Sequence, residues 1–328
     1  LNDITLKRWC SFISKPLKKG NGAMLKDRVV YMNGEFVAWD KANIHMMSHS
    51  FSRGSAIFEV ISVHPTDKGP VIFRLDEHAE RLATSAKLLE MDLPLSREEL
   101  IKATIAAVKR NGISQGFIKI MGFYPQVAFD ILPPQPRLNL AIFVMDPAQD
   151  MGAPGFVFEK GTTLGISKWR KLDPQTIPIE AKVAANYMNG MMARQEARKR
   201  GFEHAIMLDT QGFIAEGGTE SMFLVKEGRL FTPAAGTVLK SITRKSILEI
   251  APALGIETFE KRLSPQLCWE AEEIFLSSTP FKVTAVRKME ERELKEVPGP
   301  ISRKVWTALQ QIEAGKDERF RQWLFPVK

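Results

Sequence analysis

The sequence predicts an α+β fold in two domains, and three observations carry that reading. The chain has 328 residues, more than a single hydrophobic core ordinarily serves. Its apolar spacing switches between period two and period 3.6, with helical stretches set among antiparallel strand pairs. A segment marked by Pro and Gly, Asp146-Pro147 to Pro154-Gly155, divides it. The expected plan is an N-terminal extension at 1–28, a small α+β domain at 29–146, a linker at 147–155 and a larger α+β domain at 156–328.

The small domain opens on a hairpin. Val29 to Met32 and Glu35 to Trp39 flank Asn33-Gly34, the pair that suits a two-residue type I′ turn. A polar loop with His45, Ser48 and His49 precedes strands at 56–63 and 71–73. Leu75, Leu82, Ala86 and Leu89 then space as an amphipathic helix that ends before Pro94. Ser96 followed by Glu99 is a capping box, and the helix it starts stops at Asn111-Gly112. Strands at 117–123 and 138–144 enclose a long loop through Phe129, Ile131, Pro133 and Pro134.

Beyond the linker, 156–167 reads as a strand and Trp169-Arg170-Lys171 as a polar loop. Pro178 suits a helix start, and helix formers from Glu180 close on Arg198-Lys199-Arg200 with Gly201 behind them. Strands are expected at 204–208, 212–215, 222–225 and 230–232. A helix follows at 243–254, its last turn distorted by Pro252. A strand at 273–276 leads to Ser277-Ser278-Thr279-Pro280, and a helix covers 301–312.

Composition narrows the function classes. Hydrophobic residues make up 44% and charged ones 26%, as in soluble globular enzymes. The +8 charge is spread out, and neither zinc-finger spacing nor an aromatic-basic module suggests nucleic acid. No apolar run approaches the roughly 18 residues of a membrane span, and the first twenty lack a secretory h-region. Cys10 and Cys268 form neither a disulfide framework nor a metal set, so no metal and a reducing, cytoplasmic setting are expected.

The chemistry centres on Lys182, flanked by Ala181, Val183, Ala184 and Ala185. Burying an ammonium favours the neutral amine, the form that adds to carbonyl substrates or to pyridoxal phosphate. Glu216 enters Gly217-Gly218-Thr219, where missing side chains would let a flat ligand approach. With pyridoxal phosphate bound, such a carboxylate would keep the pyridine nitrogen protonated. Leu239 to Arg244 opens a helix whose free N–H groups could take an anion, although Ser241 and Thr243 could equally serve as caps. Ser277 to Thr279 offer further phosphate donors, and His78 and Arg81 share a helix face.

In this order and spacing the chain resembles the fold-type IV pyridoxal-phosphate enzymes, which have the D-amino acid aminotransferase-like two-domain architecture. It is most similar to the branched-chain amino acid aminotransferases. The matching residues are Asn33-Gly34, Met47-Ser48-His49, Phe58-Glu59, His78 through Leu82, Thr176-Ile177-Pro178, Lys182 to Tyr187, Glu196-Ala197-Arg198, Glu216-Gly217 and Ile242-Thr243-Arg244. The resemblance implies pyridoxal 5′-phosphate as cofactor, Lys182 as the Schiff-base lysine and proton shuttle, Tyr187 on the phenolic oxygen and Glu216 on the pyridinium. Arg81, Thr219, Leu239, Ile242, Thr243 and Thr279 are implied as further cofactor contacts, mostly at the phosphate. It implies ping-pong transfer from an amino donor to a 2-oxo acid, in a homodimer whose sites are each completed by the partner's 129–134 loop. Transamination of D-amino acids or (R)-amines, or a lyase reaction like that of the aminodeoxychorismate lyases, is the alternative.

The implied substrate side departs from the family. Phe117 and Lys119 stand where branched-chain enzymes have a Tyr-x-Arg pair, and Lys119 lacks the guanidinium fork. Pro280 has no N–H to offer a carboxylate. Arg53 replaces a tyrosine, as in some (R)-amine transaminases, and Val60 replaces a glycine beside Phe58. A buried Arg53 is expected to meet an anionic substrate group or a carboxylate. Ser221 stands where the family has Asn.

Overall fold

The computed structural model describes residues 25–328. Cys10 and most of the expected 1–28 extension lie outside the described residues. Two sheets organise the rest. The first is antiparallel in every pairing and runs, edge to edge, Leu324–Pro326, Val71–Phe73, Ile57–His64, Gly116–Phe123, Asn139–Met145, Val29–Met32 and Glu35–Ala38. Asn33 at φ 52 and Gly34 at φ 99 turn the hairpin as a type I′ pair requires. Helices Leu75–Leu88 and Arg97–Asn111 cover one face, burying Ile57, Ile61, Leu82, Val108, Ile118 and Ile120. The capping box forms: Glu99 N–H donates to Ser96 Oγ at 3.3 Å, and Ser96 N–H to Glu99 Oε2 at 2.8 Å.

The second sheet is mixed. Its order is Thr258–Lys261, Arg229–Pro233, Ser221–Lys226, Glu273–Ser277, Thr284–Met289, Thr162–Ile166, His204–Leu208 and Ile214–Gly217, with Arg292–Glu293 paired off Thr284–Met289. Three of its pairings are parallel. Helices Tyr187–Lys199, Ile242–Ile250 and Pro300–Glu313 complete this half. Phe223 and Phe275 stack at 4.9 Å in its core. Helices among strands in both halves make the α+β expectation correct.

Several local expectations change. The helix read from Glu180 begins only at Tyr187, after a 3-10 turn at Ala184–Asn186. Tertiary pairing overrides the helix formers there. Phe58 N–H donates to the Lys182 carbonyl at 3.0 Å, Ala184 N–H to the Ala56 carbonyl at 2.7 Å, and Val183 bridges Ile57. The strand read at 156–167 is confined to Thr162–Ile166, because a 3-10 turn at Phe158–Lys160 and Gly161 at φ +59 break it. The strand read at 212–215 lies two residues later, since Gly212 turns at φ +89. Pro252 converts the end of its helix into a 3-10 turn, as its ring requires.

Several elements went unread, among them the helix Leu267–Glu270 and the strand Arg292–Glu293. His49–Arg53 is a short helix capped by Ser48, and strands form at Thr258–Lys261, Thr284–Met289 and Leu324–Pro326. The last returns from the second half to pair with Val71–Phe73 at the edge of the first sheet. The 147–155 segment contains the helix Pro147–Met151, capped by Asp146.

Candidate active site

A cavity lies where the two sheets meet. The first sheet's side supplies Arg81 from the Leu75–Leu88 helix. The second half supplies Lys171, Lys182, Asn186, Tyr187, Glu216 to Ser221, Leu239, Ser241, Ser278 and Thr279. Five segments distant in sequence thus converge around the Lys182 amine.

Lys182 reaches the cavity from a tight non-helical turn, in which the Val183 N–H donates to the Ala181 carbonyl at 3.0 Å across it. Its N–H donates to Ser85 Oγ at 3.0 Å and its carbonyl accepts from Phe58, so both of its backbone groups are tied to the first half of the chain. Its Nζ donates to the Tyr187 hydroxyl at 2.6 Å. It also lies 4.8 Å from the Phe58 ring centroid and 5.1 Å from that of Tyr187. Burial pulls the amine's pKa down to about 8, and the Arg81 charge pulls the same way. About a tenth of the amine is therefore neutral at pH 7, far more than for an ordinary lysine. Burial and the Glu216 charge push the Tyr187 phenol far above its ordinary range, which keeps it protonated.

Arg81 is braced rather than free. Its Nε and Nη2 donate to the two oxygens of Glu59 at 2.7 and 2.6 Å, and its Nη1 donates to the Lys240 carbonyl at 3.0 Å. His78 Nδ1 meets the same carboxylate at 2.7 Å. Burial alone would raise the Glu59 pKa, but Arg81 and His78 more than offset it and hold it at about 2. Burial likewise holds His78 near 4, against the pull of Glu59, so the imidazole is neutral. Glu59 thus fixes Arg81 at the cavity mouth with a full negative charge behind it.

Glu216, near the end of strand Ile214–Gly217, pairs with Lys171 Nζ at 2.5 Å and accepts the Leu239 N–H at 3.3 Å. Lys171 therefore sets a counter-charge against the carboxylate at the cavity wall. The glycines beside it serve packing as well as access: a Cβ on Gly190 would sit 2.3 Å from the Gly218 carbonyl oxygen. Thr219 lines the cavity, its hydroxyl donating to buried Glu220 at 2.8 Å. Ser241 caps the Ile242–Ile250 helix by accepting the Arg244 N–H at 3.2 Å. Ile242 and Thr243, both buried, follow it in the helix, so Ser241 serves as the cap and also lines the cavity.

The structure gathers the two sides unequally. Arg81, Lys182, Tyr187, Glu216, Thr219, Leu239 and Thr279 all line the cavity. Arg53, Phe58, Val60, Lys119 and Pro280 do not, and neither do Ile242 and Thr243 on the cofactor side. Phe58 still flanks it, its ring 4.9 Å from that of Tyr187, and Lys119 Nζ lies 5.3 Å from the Phe58 centroid. Val60 pairs with Lys119 across two strands. Pro280 is exposed. Arg53 differs from its expectation: it is exposed, and its Nη2 donates to the Phe129 carbonyl at 3.1 Å rather than to a carboxylate. Exposure removes the desolvation penalty that would have demanded an ionic partner.

Sequence reasoning missed Glu59 as the brace of Arg81 and Lys171 as the partner of Glu216. Alternation in Ile57–His64 offered a signal for the first, because it places Glu59 in phase with the buried Ile57 and Ile61. The cavity fits pyridoxal phosphate. It offers a buried amine, a carboxylate, an arginine and a hydroxyl-lined end. Two buried atoms on its wall, Asn186 Oδ1 and Ser221 Oγ, have no partner within the protein, as expected of groups that face a polar ligand.

Known proteins share this sequence pattern and fold. The branched-chain-amino-acid aminotransferase of Salmonella typhimurium is 34% identical over 301 residues, covering 91% of this chain and 97% of that protein. The crystal structure of a branched-chain aminotransferase from Thermoproteus uzoniensis with norvaline superposes at a TM-score of 0.86, with 30% identity over 92% of this chain and 99% of the other. The branched-chain amino acid aminotransferase of Thermobaculum terrenum, in its PLP-bound holo form, superposes at 0.84, with 27% identity over 92% of this chain and 98% of the other. The family described as amino-transferase class IV matches residues 56–289. On the strength of that match and these relatives, the chain belongs to the class IV aminotransferases.

Proposed function

We propose that this protein is a pyridoxal-phosphate-dependent aminotransferase moving an amino group between a branched-chain-like amino acid and a 2-oxo acid, with Lys182 as its base. The observation that carries the reading is the Lys182 amine, held 2.6 Å from Tyr187 between two braced charges, Arg81–Glu59 and Glu216–Lys171. Branched-chain substrates are supported by the names of the relatives. The bound cofactor supplies an electron sink for the pair left when the substrate Cα–H bond breaks.

The residues divide the remaining work. Glu216 would hold the ring nitrogen's proton, and Arg81 with the N-terminus of Ile242–Ile250, Ser278 and Thr279 would hold the phosphate. Lys182 Nζ accepts a proton from the substrate carbon and returns one on the cofactor side, which its lowered pKa allows near neutral pH. The Tyr187 hydroxyl orients that amine throughout. Because donor and acceptor use one cavity in turn, the kinetics are ping-pong.

A homodimer with shared sites is part of the proposal. Phe129, Ile131 and Leu132 are 84%, 73% and 70% exposed on one loop, an apolar patch that calls for a partner. Arg53 already contacts that loop through the Phe129 carbonyl. A cytoplasmic setting suits Cys268, a buried free thiol whose pKa burial pushes up to about 12. No helix among the described residues is long and apolar enough to cross a membrane.

Mixing holoenzyme with L-leucine tests the reading. The cofactor's visible band should disappear as one equivalent of 2-oxo acid forms, and 2-oxoglutarate should restore it. Oxo acid released without restoration would instead indicate a lyase. A response to D-amino acids or (R)-amines alone would overturn the substrate assignment. Sedimentation at micromolar concentration tests the dimer.

A further inference from the structure

Lys282 is an unusual residue for its position. It is 3% exposed, and its backbone sits at φ +56, where glycine meets no steric penalty. Yet its side chain is fully engaged. Nζ donates to Ser62 Oγ at 2.8 Å and to the Thr279 carbonyl at 3.0 Å, and it lies 4.8 Å over the Phe73 ring. Its main-chain N–H donates to the Ser278 carbonyl at 2.8 Å. Glu313 Oε1 stands 3.1 Å from Nζ as an ion pair, though off the hydrogen-bonding direction. Glu313 is 2% exposed, so the pair is buried.

These partners come from three parts of the fold. Ser62 lies on the strand that carries Glu59, Glu313 ends the Pro300–Glu313 helix, and Ser278 and Thr279 form the turn that lines the cavity. His64 also faces Glu313, its Nε2 at 3.4 Å from Oε1. Burial holds that imidazole near pKa 4 despite Glu313, so Lys282 supplies the positive charge there. A buried ion pair is a weak source of stability, because desolvation offsets the attraction and apolar replacements are often neutral. Stability is therefore a poor account of a charged side chain at this point. The connections it makes are a better one.

We propose that Lys282 is a positioning residue for the cofactor's phosphate. It clamps the Ser278–Thr279 turn at two carbonyls and ties it to the strand whose Glu59 braces Arg81, so that donors from the two halves hold a fixed separation. The proposal rests on the reading of Ser278 and Thr279 as part of the phosphate end. Lys282 touches no substrate atom, and it takes no part in the proton transfer.

Lys282→Met keeps the length of the stem and removes the charge. In the holoenzyme it should raise the dissociation constant of pyridoxal phosphate, measured by equilibrium dialysis, by about tenfold, the scale of one charge-assisted contact. The phosphorus NMR resonance of the bound 5′-phosphate should move, while the KM for the amino donor at saturating cofactor stays unchanged. A merely structural lysine would leave that resonance in place. Should Lys282→Met fold poorly, the Lys282→Met/Glu313→Leu double variant removes the orphaned carboxylate as well. It should regain thermal stability without regaining cofactor affinity. Wild-type affinity and an unmoved resonance in the folded variant would overturn the proposal. Ser278→Ala/Thr279→Val, measured in parallel, separates the two readings. Weakened binding there beside normal binding in the Lys282 variant sinks the positioning role alone, whereas normal binding there sinks both.

Discussion

The residues read as cofactor contacts and those read as substrate contacts are built on different terms. On the cofactor side, each principal charge has a counter-charge set by the fold: Glu59 behind Arg81, Lys171 against Glu216. On the substrate side, Arg53 is exposed and rests on a carbonyl, and Lys119 stands over an aromatic ring. The contrast is one of preorganisation. Paired, buried charges hold a ligand-ready geometry before anything binds. Charges left near solvent have their geometry completed by substrate and, in our reading, by a second copy of the chain.

The sharpest way to break this contrast is at the base. Lys182→Ala should lower kcat by about 10⁴-fold, the upper end of what a positioned acid–base group contributes. Single-turnover kinetics with L-leucine measure it, and a loss within about tenfold would return Lys182 to a structural role. Glu216→Gln should cost less, about 10²-fold in kcat, because it keeps the shape and removes only the charge aimed at the ring. If instead it changed the KM of the donor alone, Glu216 would belong to the substrate side.

The Glu59 brace makes a claim about stability and its pH dependence. Glu59→Gln leaves Arg81 without its buried counter-charge and should destabilise the fold by about 3–5 kcal/mol, read by denaturant unfolding at pH 7. In the native protein the signs run one way. Glu59 titrates at about 2 rather than 4.5, so the stability it contributes is present above pH 4.5 and lost as pH falls through 2. His78 titrates near 4 rather than 6.5. Below pH 6.5 the unfolded chain therefore takes up a proton that the folded one refuses, and stability declines toward pH 4. His78 should account for about 3 kcal/mol of the decline by pH 4, and that share should be missing in His78→Asn, which keeps the share of His64, lowered in the same way. A slope between pH 6.5 and 4.5 that is the same in His78→Asn as in the native protein would mean that the folded imidazole is not held neutral.

What could be read from the sequence divides along similar lines. Asn33-Gly34, the Ser96 capping box and the break at Pro252 were legible because each is decided by a few adjacent residues. Lys182 was legible as a candidate, read in the first turn of a helix or just before it, whereas that helix begins only at Tyr187. The Ala and Glu residues around it favour a helix, whereas the hydrogen bonds that hold it out of one come from Ala56 and Phe58 in the other half of the chain. Glu59 with Arg81, Lys171 with Glu216 and Lys282 with Glu313 are likewise decided by which strand lies beside which helix. Local pattern does not encode that choice. The same holds for Leu324–Pro326, whose partner strand is Val71–Phe73.

The substrate side yields the smallest effects, and their order is informative. Lys119 is half-buried, and its ammonium shares the Phe58 ring with Lys182, so a carboxylate reaching that ring would meet it with little screening. Lys119→Met should therefore raise the KM for the 2-oxo acid about tenfold while kcat changes little, the signature of lost uniform binding. Arg53→Ala should raise it by only about threefold, because exposed charges act through solvent and are screened within about 8 Å at physiological ionic strength. Added salt should then erase the Arg53 effect and spare that of Lys119. Arg53 effects that equal those of Lys119 and persist at high salt would place the guanidinium in a desolvated site. That site would need the second copy of the chain to cover it, so the same salt series also tests whether the substrate side is finished between two chains.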